Sequence, residues 1–264
     1  MPTKKIYAKW LRFTEEDNAL DYLEKASFYI SQTEKDKKSW KWVILCLHGA
    51  LYGFSICAIK GTNPDRVIDF KSKYKTKYKI EELPQNIIEH GFPSEIKIKY
   101  NSSKKELEFI SSMSFNDREQ LLQLSNHQDF QKAINYLYNH SRKLISFYNA
   151  LKRCQNPDWM RQFVHSRTLK LDRGQKWSIN KLKKEFRNYF EHYQPLAWSI
   201  EIHGMPQIAI QVLDVIRFLA IDSGNIFPSS QNKQRKIKSL IFQSKKVLKR
   251  TKLYKESLIA NQEK

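Results

Sequence analysis

Four polar side chains crowd one short stretch of the chain: Arg187, Asn188, Glu191 and His192. A guanidinium, an amide, a carboxylate and an imidazole suffice for acid–base chemistry at a phosphate without a metal. RNA carries its own nucleophile, the 2′-OH. A protein that cuts it must take the proton from that hydroxyl, give one to the leaving 5′-oxygen and offset the added negative charge. An imidazole titrates near neutrality, so His192 is the candidate acid or base. Arg187 can hold the phosphate bidentately. Asn188 is placed to orient the phosphate or the His, and Glu191 shares the same polar face. Such cleavage leaves a 2′,3′-cyclic phosphate, and DNA, lacking the nucleophile, survives it.

A helix must position these groups. Ser178 is a good N-cap ahead of an apolar-periodic segment. Advancing about 100° per residue from Ile179 places Leu182, Phe186, Tyr189, Phe190 and Tyr193 on one face. Arg187, Asn188, Glu191 and His192 fall on the other. Arg187 and His192 are five positions apart, about 140° around a helix, so they flank the polar face rather than converge.

The order Arg187-Asn188-Tyr-Phe-Glu-His192 resembles the motif of the HEPN superfamily of small helical domains, with Asn in second place and four residues between Arg and His. The following Pro195, Trp198-Ser-Ile-Glu201 and Gly204-Met-Pro206 are also similar to some bacterial members. No other Arg–His pair here has that spacing; Arg161 and His165 are one residue closer. The resemblance implies a mainly α fold: a HEPN-like helical bundle over 14–223 and a metal-independent endoribonuclease, of the kind found among bacterial toxins and antiphage effectors. It implies Arg187, Asn188 and His192 as the catalytic set and no cofactor. With one motif per chain, it also implies a homodimer, or pairing with another HEPN-like domain, and an antitoxin or defence-system partner. A non-catalytic HEPN-like protein that binds RNA, nucleotide or a partner, and an unrelated basic nucleic-acid-binding protein, remain alternatives.

Composition fits an RNA partner. The 264 residues include 47 basic and 27 acidic side chains, a formal charge of +20. That excess favours polyanions through counterion release, although a lysine-rich proteome gives the same surplus. Three cysteines, an odd number with no CxxC spacing, argue against a disulfide framework or a cysteine zinc site. The start Met-Pro-Thr-Lys-Lys lacks an apolar leader core, and no run of roughly 18 uncharged apolar residues occurs, which predicts a cytoplasmic protein with no membrane partner.

The remaining elements follow from periodicity. Thr14 and Asp17 predict a capping box opening a helix over 14–31. Residues 39–60 are apolar nearly all round and predict the buried helix of the bundle, with His48 as a core residue. Gly49 and Gly53 share a face and would admit a close helix, from this chain or from a second copy. An insertion over about 65–112 breaks the pattern. There Lys71, Lys73, Lys75, Lys77 and Lys79 alternate with other residues, including Tyr74 and Tyr78. An extended strand of this kind offers phosphate contacts and base-stacking rings, or is a lysine-protected edge strand. A hairpin is expected across 95–110, and the insertion looks too short to hold much core. Helices are predicted over 114–125, 128–153, 157–170 and 205–222. Residues 229–264 carry a net +9 on a helical apolar pattern, a basic amphipathic C-terminal helix. Its Lys245, Lys246, Lys249 and Arg250 are candidate RNA contacts; a solvated terminal helix fits the same pattern.

Overall fold

Thr14 opens the first helix as its sequence predicts: its hydroxyl accepts from Asp17 N–H, and the Asp17 carboxylate accepts from Thr14 N–H. The structure, a computed structural model, describes residues 10–69, 76–92, 98–109, 113–191, 199–226 and 230–262. Helix α1 (Glu15–Gln32) is followed by α2 (Ser39–Lys60). The chain then forms β1 (Thr76–Lys79), α3 (Gln85–His90), β2 (Ile98–Asn101), β3 (Glu106–Phe109), α4 (Phe115–Gln123), α5 (Gln128–Ser141) and α6 (Phe147–Cys154). Last come α7 (Pro157–Met160), α8 (Arg173–Asn180), α9 (Asn188–Glu191), α10 (Met205–Arg217), α11 (Gln231–Arg250) and α12 (Lys252–Gln262). Among the described residues the protein is mainly helical, with one small antiparallel sheet. It divides into two units: one holds residues up to Gly61 and from Ala150 onward, the other Thr62–Asn149.

In the first unit α2 is the central helix. Val43, Ile44, Leu47, Leu51, Phe54 and Ile59 are buried, and α1, α10 and the 181–187 segment pack around them. Each such side chain contributes about 1.5–3 kcal/mol by leaving water. Gly49 and Gly53 are used inside the chain. A Cβ at Gly49 would lie 2.6 Å from the Tyr22 ring, and one at Gly53 2.7 Å from Ala19 Cβ. The face that sequence offered as a dimer contact is therefore covered by α1. Contrary to the expectation of no long uncharged apolar run, residues 42–59 carry no Asp, Glu, Lys or Arg, and α2 is long and apolar enough to cross a membrane by length and composition; 67% of its most apolar window is buried within the protein.

The basic tail is two helices rather than one, broken at Thr251, and α11 packs on α1 and α10. Lys233 bonds Asp17, Lys236 reaches Glu24 at 2.6 Å, and Lys245 bonds Asp214. Several cations of the tail thus fasten it to the bundle. The residues after α7 are not the helix expected over 157–170. Gln162 Nε2 turns to the carbonyls of Ala58 and Ile59 at the end of α2, and Arg167 Nε to the carbonyl of Asp222, which holds the segment in an irregular path. Arg161 and His165 do not share a helical face there.

The second unit is larger than the expected insertion and has its own core, because α4 and α5 belong to it. Strand order is β1-β3-β2, all antiparallel, with Leu107 opposite both Tyr78 and Tyr100. Leu107 and Phe109 of the central strand are buried with Ile80, Phe130, Ile134 and Leu137. The helix expected across 128–153 is broken after Ser141. Asp69 N–H donates to Lys143 O and Ile145 N–H to Val67 O, while Arg142 Nη2 donates to Asp65 Oδ1 at 2.9 Å. Long-range pairing overrides local helical periodicity at that point.

Candidate active site

The helix that carries Arg187 starts earlier than expected. Asp172 caps it: its carboxylate accepts from Gln175 N–H, and the Gln175 side chain accepts from Asp172 N–H. Ser178 therefore lies inside the helix and is buried rather than capping it. The helix runs through α8, becomes π-helical over Lys181–Arg187 and returns to α form in α9.

That π-helical segment decides where the motif points. Asn188 N–H reaches the carbonyl of Lys183, five residues back. Pairing of i with i+5 puts more residues in each turn, so each residue advances by less than the α-helical angle. The aromatic stripe slips out of phase. Ile179, Leu182 and Phe186 are buried as expected, but Tyr189 is 44% exposed. The same lag carries Arg187 and Asn188, expected on the solvent side, into half-buried positions. There Arg187 Nη1 donates to Asn188 Oδ1 at 3.3 Å. The Asn carbonyl is thus engaged in orienting the guanidinium, a more specific role than the sequence suggested.

The π-helical segment packs on α2, where His48 is buried. Burial pushes the His48 imidazole down to about 4, and the charges of Arg187 and Lys183 push it the same way. A buried core histidine was the expectation; its electrostatic link to Arg187 was not, because 138 intervening residues hide it from any local pattern. His48 is neutral at pH 7, an uncharged imidazole within electrostatic range of the Arg187 guanidinium.

No family model, curated protein or solved structure matches this chain.

His192 lies outside the described residues, as do the Glu191 side chain and Lys71, Lys73, Tyr74 and Lys75. Among the described residues, Arg187 and Asn188 are brought together. No group of three or more His, Cys, Asp or Glu among those residues could hold a metal ion. The cysteines pack as small hydrophobes: burial pushes Cys46 up to about 11, and Cys57 and Cys154 to about 12, so none is a ready nucleophile.

The other candidate RNA contacts divide sharply. Lys77 is exposed on β1, an edge strand. Tyr78 is half-buried against the core of its unit, its ring centroid 5.1 Å from that of Tyr136, so it is a packing residue rather than an open stacking platform. Lys245 is tied to Asp214. Lys246, Lys249 and Arg250 are exposed. Lys246 and Lys249 border a groove of about 650 Å³ beside Phe242, which is 68% exposed. Sequence reasoning missed Phe242, and it missed a second cationic cluster at Lys37, Lys38 and Lys41; the charged run Glu34-Lys-Asp-Lys-Lys38 between α1 and α2 was the available signal.

Proposed function

We propose that this chain is a metal-independent endoribonuclease of HEPN type, a bacterial toxin or antiphage effector. It would cleave RNA by 2′-OH attack, leaving a 2′,3′-cyclic phosphate. The observation that carries this reading is the Arg187–Asn188 pair. A hydrogen-bonded, half-buried guanidinium at the end of a π-helical segment is held in one orientation, as stabilising a developing phosphate charge requires. In this reading Arg187 holds the phosphate, Asn188 positions Arg187, and His192, five positions on in sequence, moves the protons. Excess positive charge draws the RNA in.

The experiment is cleavage of mixed RNA in EDTA with single-stranded DNA as control. RNA is expected to be cut to 2′,3′-cyclic ends and DNA left whole. Arg187→Ala and His192→Ala should each lower the rate on the order of 100-fold or more. RNA binding without cleavage would overturn the reading in favour of a non-catalytic RNA-, nucleotide- or partner-binding protein. The exposed Lys246, Lys249 and Arg250 favour that alternative.

A further inference from the structure

A pocket of about 460 Å³ opens next to the motif helix. Lys37, Lys38 and Lys41 line it from the start of α2, together with Trp40. Phe190 lines it from α9, and Ile200 and Ile202 from the segment beyond. Phe190 follows Arg187 by three residues, less than one helical turn along the same element.

Three features of this pocket point to one ligand chemistry. The first is charge. Three lysines sit at the N-terminal end of a 22-residue helix that has no acidic residue in its first turn. A helix N-terminus already carries partial positive charge, so cations there repel it, and acidic residues are the usual occupants. Asp36 is the nearby carboxylate; it accepts from Lys38 N–H and Ser39 Oγ and so belongs to the turn. The second feature is the floor, which is aromatic and aliphatic: Trp40, Phe190 and the two isoleucines. The Lys41 ammonium lies 5.9 Å from the Phe190 ring centroid and 5.1 Å from that of Trp42. The third is Trp40 itself, which is 2% exposed, so packing holds its ring fixed at the edge of the pocket.

We infer that this pocket takes one nucleotide unit of a single-stranded RNA. The base would lie on the apolar floor and its phosphate among Lys37, Lys38 and Lys41. The volume is that of a site for one small molecule rather than for a protein helix. Cationic walls with an aromatic floor are how single strands are held without sequence readout. The inference rests on the RNA-cleaving reading for its biological sense: the pocket would hold a nucleotide near the bond presented to Arg187. Its own test does not require cleavage.

Calorimetry in EDTA at low salt, with adenosine 3′-monophosphate, uridine 3′-monophosphate and inorganic phosphate as probes, decides the matter. Both nucleotides are expected to bind at least tenfold tighter than phosphate. Lys38→Gln with Lys41→Gln, both on the surface side of the pocket, should weaken nucleotide binding tenfold or more with an unchanged circular dichroism spectrum. Phosphate binding as tight as the nucleotides would overturn the proposal, as would a double lysine variant that binds like the wild type. Tighter capture by anionic vesicles of phosphatidylglycerol than by a single-stranded oligonucleotide would also overturn it. If wild type binds the nucleotides here but cuts no RNA, the pocket stands and the cleavage reading falls. If Arg187→Ala abolishes cleavage while wild-type nucleotide affinity is absent, the reverse holds.

Discussion

His48 is the residue at which burial, charge and pH meet. In the folded protein its imidazole takes a proton only near pH 4, whereas its ordinary value is 6.5. Between those limits the unfolded chain binds more protons than the folded one. Stability from neutral His48 is therefore complete above pH 6.5 and is lost as pH falls towards 4. At about 1.4 kcal/mol per pH unit, the loss is on the order of 3 kcal/mol. Urea unfolding at pH 7.5 and at pH 4.5 is expected to show that drop in wild type and a clearly smaller one in His48→Gln. Equal drops would remove His48 from the account. Because the Arg187 charge also depresses His48, Arg187→Met, which keeps the apolar stem, should move the His48 titration up when followed by NMR. No movement would mean that Arg187 and His48 are not electrostatic neighbours. That neighbourhood was illegible in sequence, since Arg187 and His48 lie on helices far apart along the chain. Arg187 and Asn188 themselves were legible as residue types, but their hydrogen bond and half-burial were not.

At the scale of elements, local signals read well wherever local forces decide. The Thr14–Asp17 capping box and the all-round apolar run of α2 both specify their helices within a few residues. The hairpin of β2 and β3 follows from alternation alone. Failures occur where something else wins. A wheel built on the α-helical angle misplaces Tyr189 because the chain is π-helical before it, and no residue type announces that change. The break after Ser141 comes from Asp65, Val67 and Asp69, all distant in sequence. The close approach of α1 to α2 gives a sharp test of packing. At Gly53 an added Cβ meets Ala19 at its Cβ and, at 3.1 Å, its backbone Cα, so neither side can yield. At Gly49 it meets the ring of Tyr22, which is 39% exposed and can swing outward. Gly53→Ala is thus expected to cost about 1–3 kcal/mol and Gly49→Ala distinctly less, since overpacking is costly only where neighbours are fixed. Thermal or urea unfolding of the two variants checks the order. A reversed order would mean that α1 and α2 separate more readily than their backbone contact suggests.

For the whole molecule, charge and assembly set the remaining question. The surplus of +20 is partly internal, because Lys233, Lys236 and Lys245 hold the tail helix to acidic residues of α1 and α10. A count of lysines therefore overstates what RNA can touch. Assembly follows from the spacing of Arg187 and His192. Continued at the α-helical angle expected from sequence, five steps would set them about 140° apart; α9 is described to Glu191, and His192 lies outside the described residues. If the catalytic groups nevertheless act on one phosphate, Arg187 from one copy must meet His192 from a second. Mixing Arg187→Ala with His192→Ala tests this directly. Each variant alone has no complete site. Random exchange makes about half the dimers mixed, and each mixed dimer has one of its two sites intact, so roughly a quarter of wild-type cleavage should return. The two proteins must be unfolded and refolded together to exchange, with separately refolded samples as controls. Recovery near a quarter supports a site shared across a two-fold axis. No recovery, from variants shown to co-assemble, would place Arg187 and His192 of one chain in the same site. It would then fall to the chain after Glu191 to turn His192 back towards Arg187.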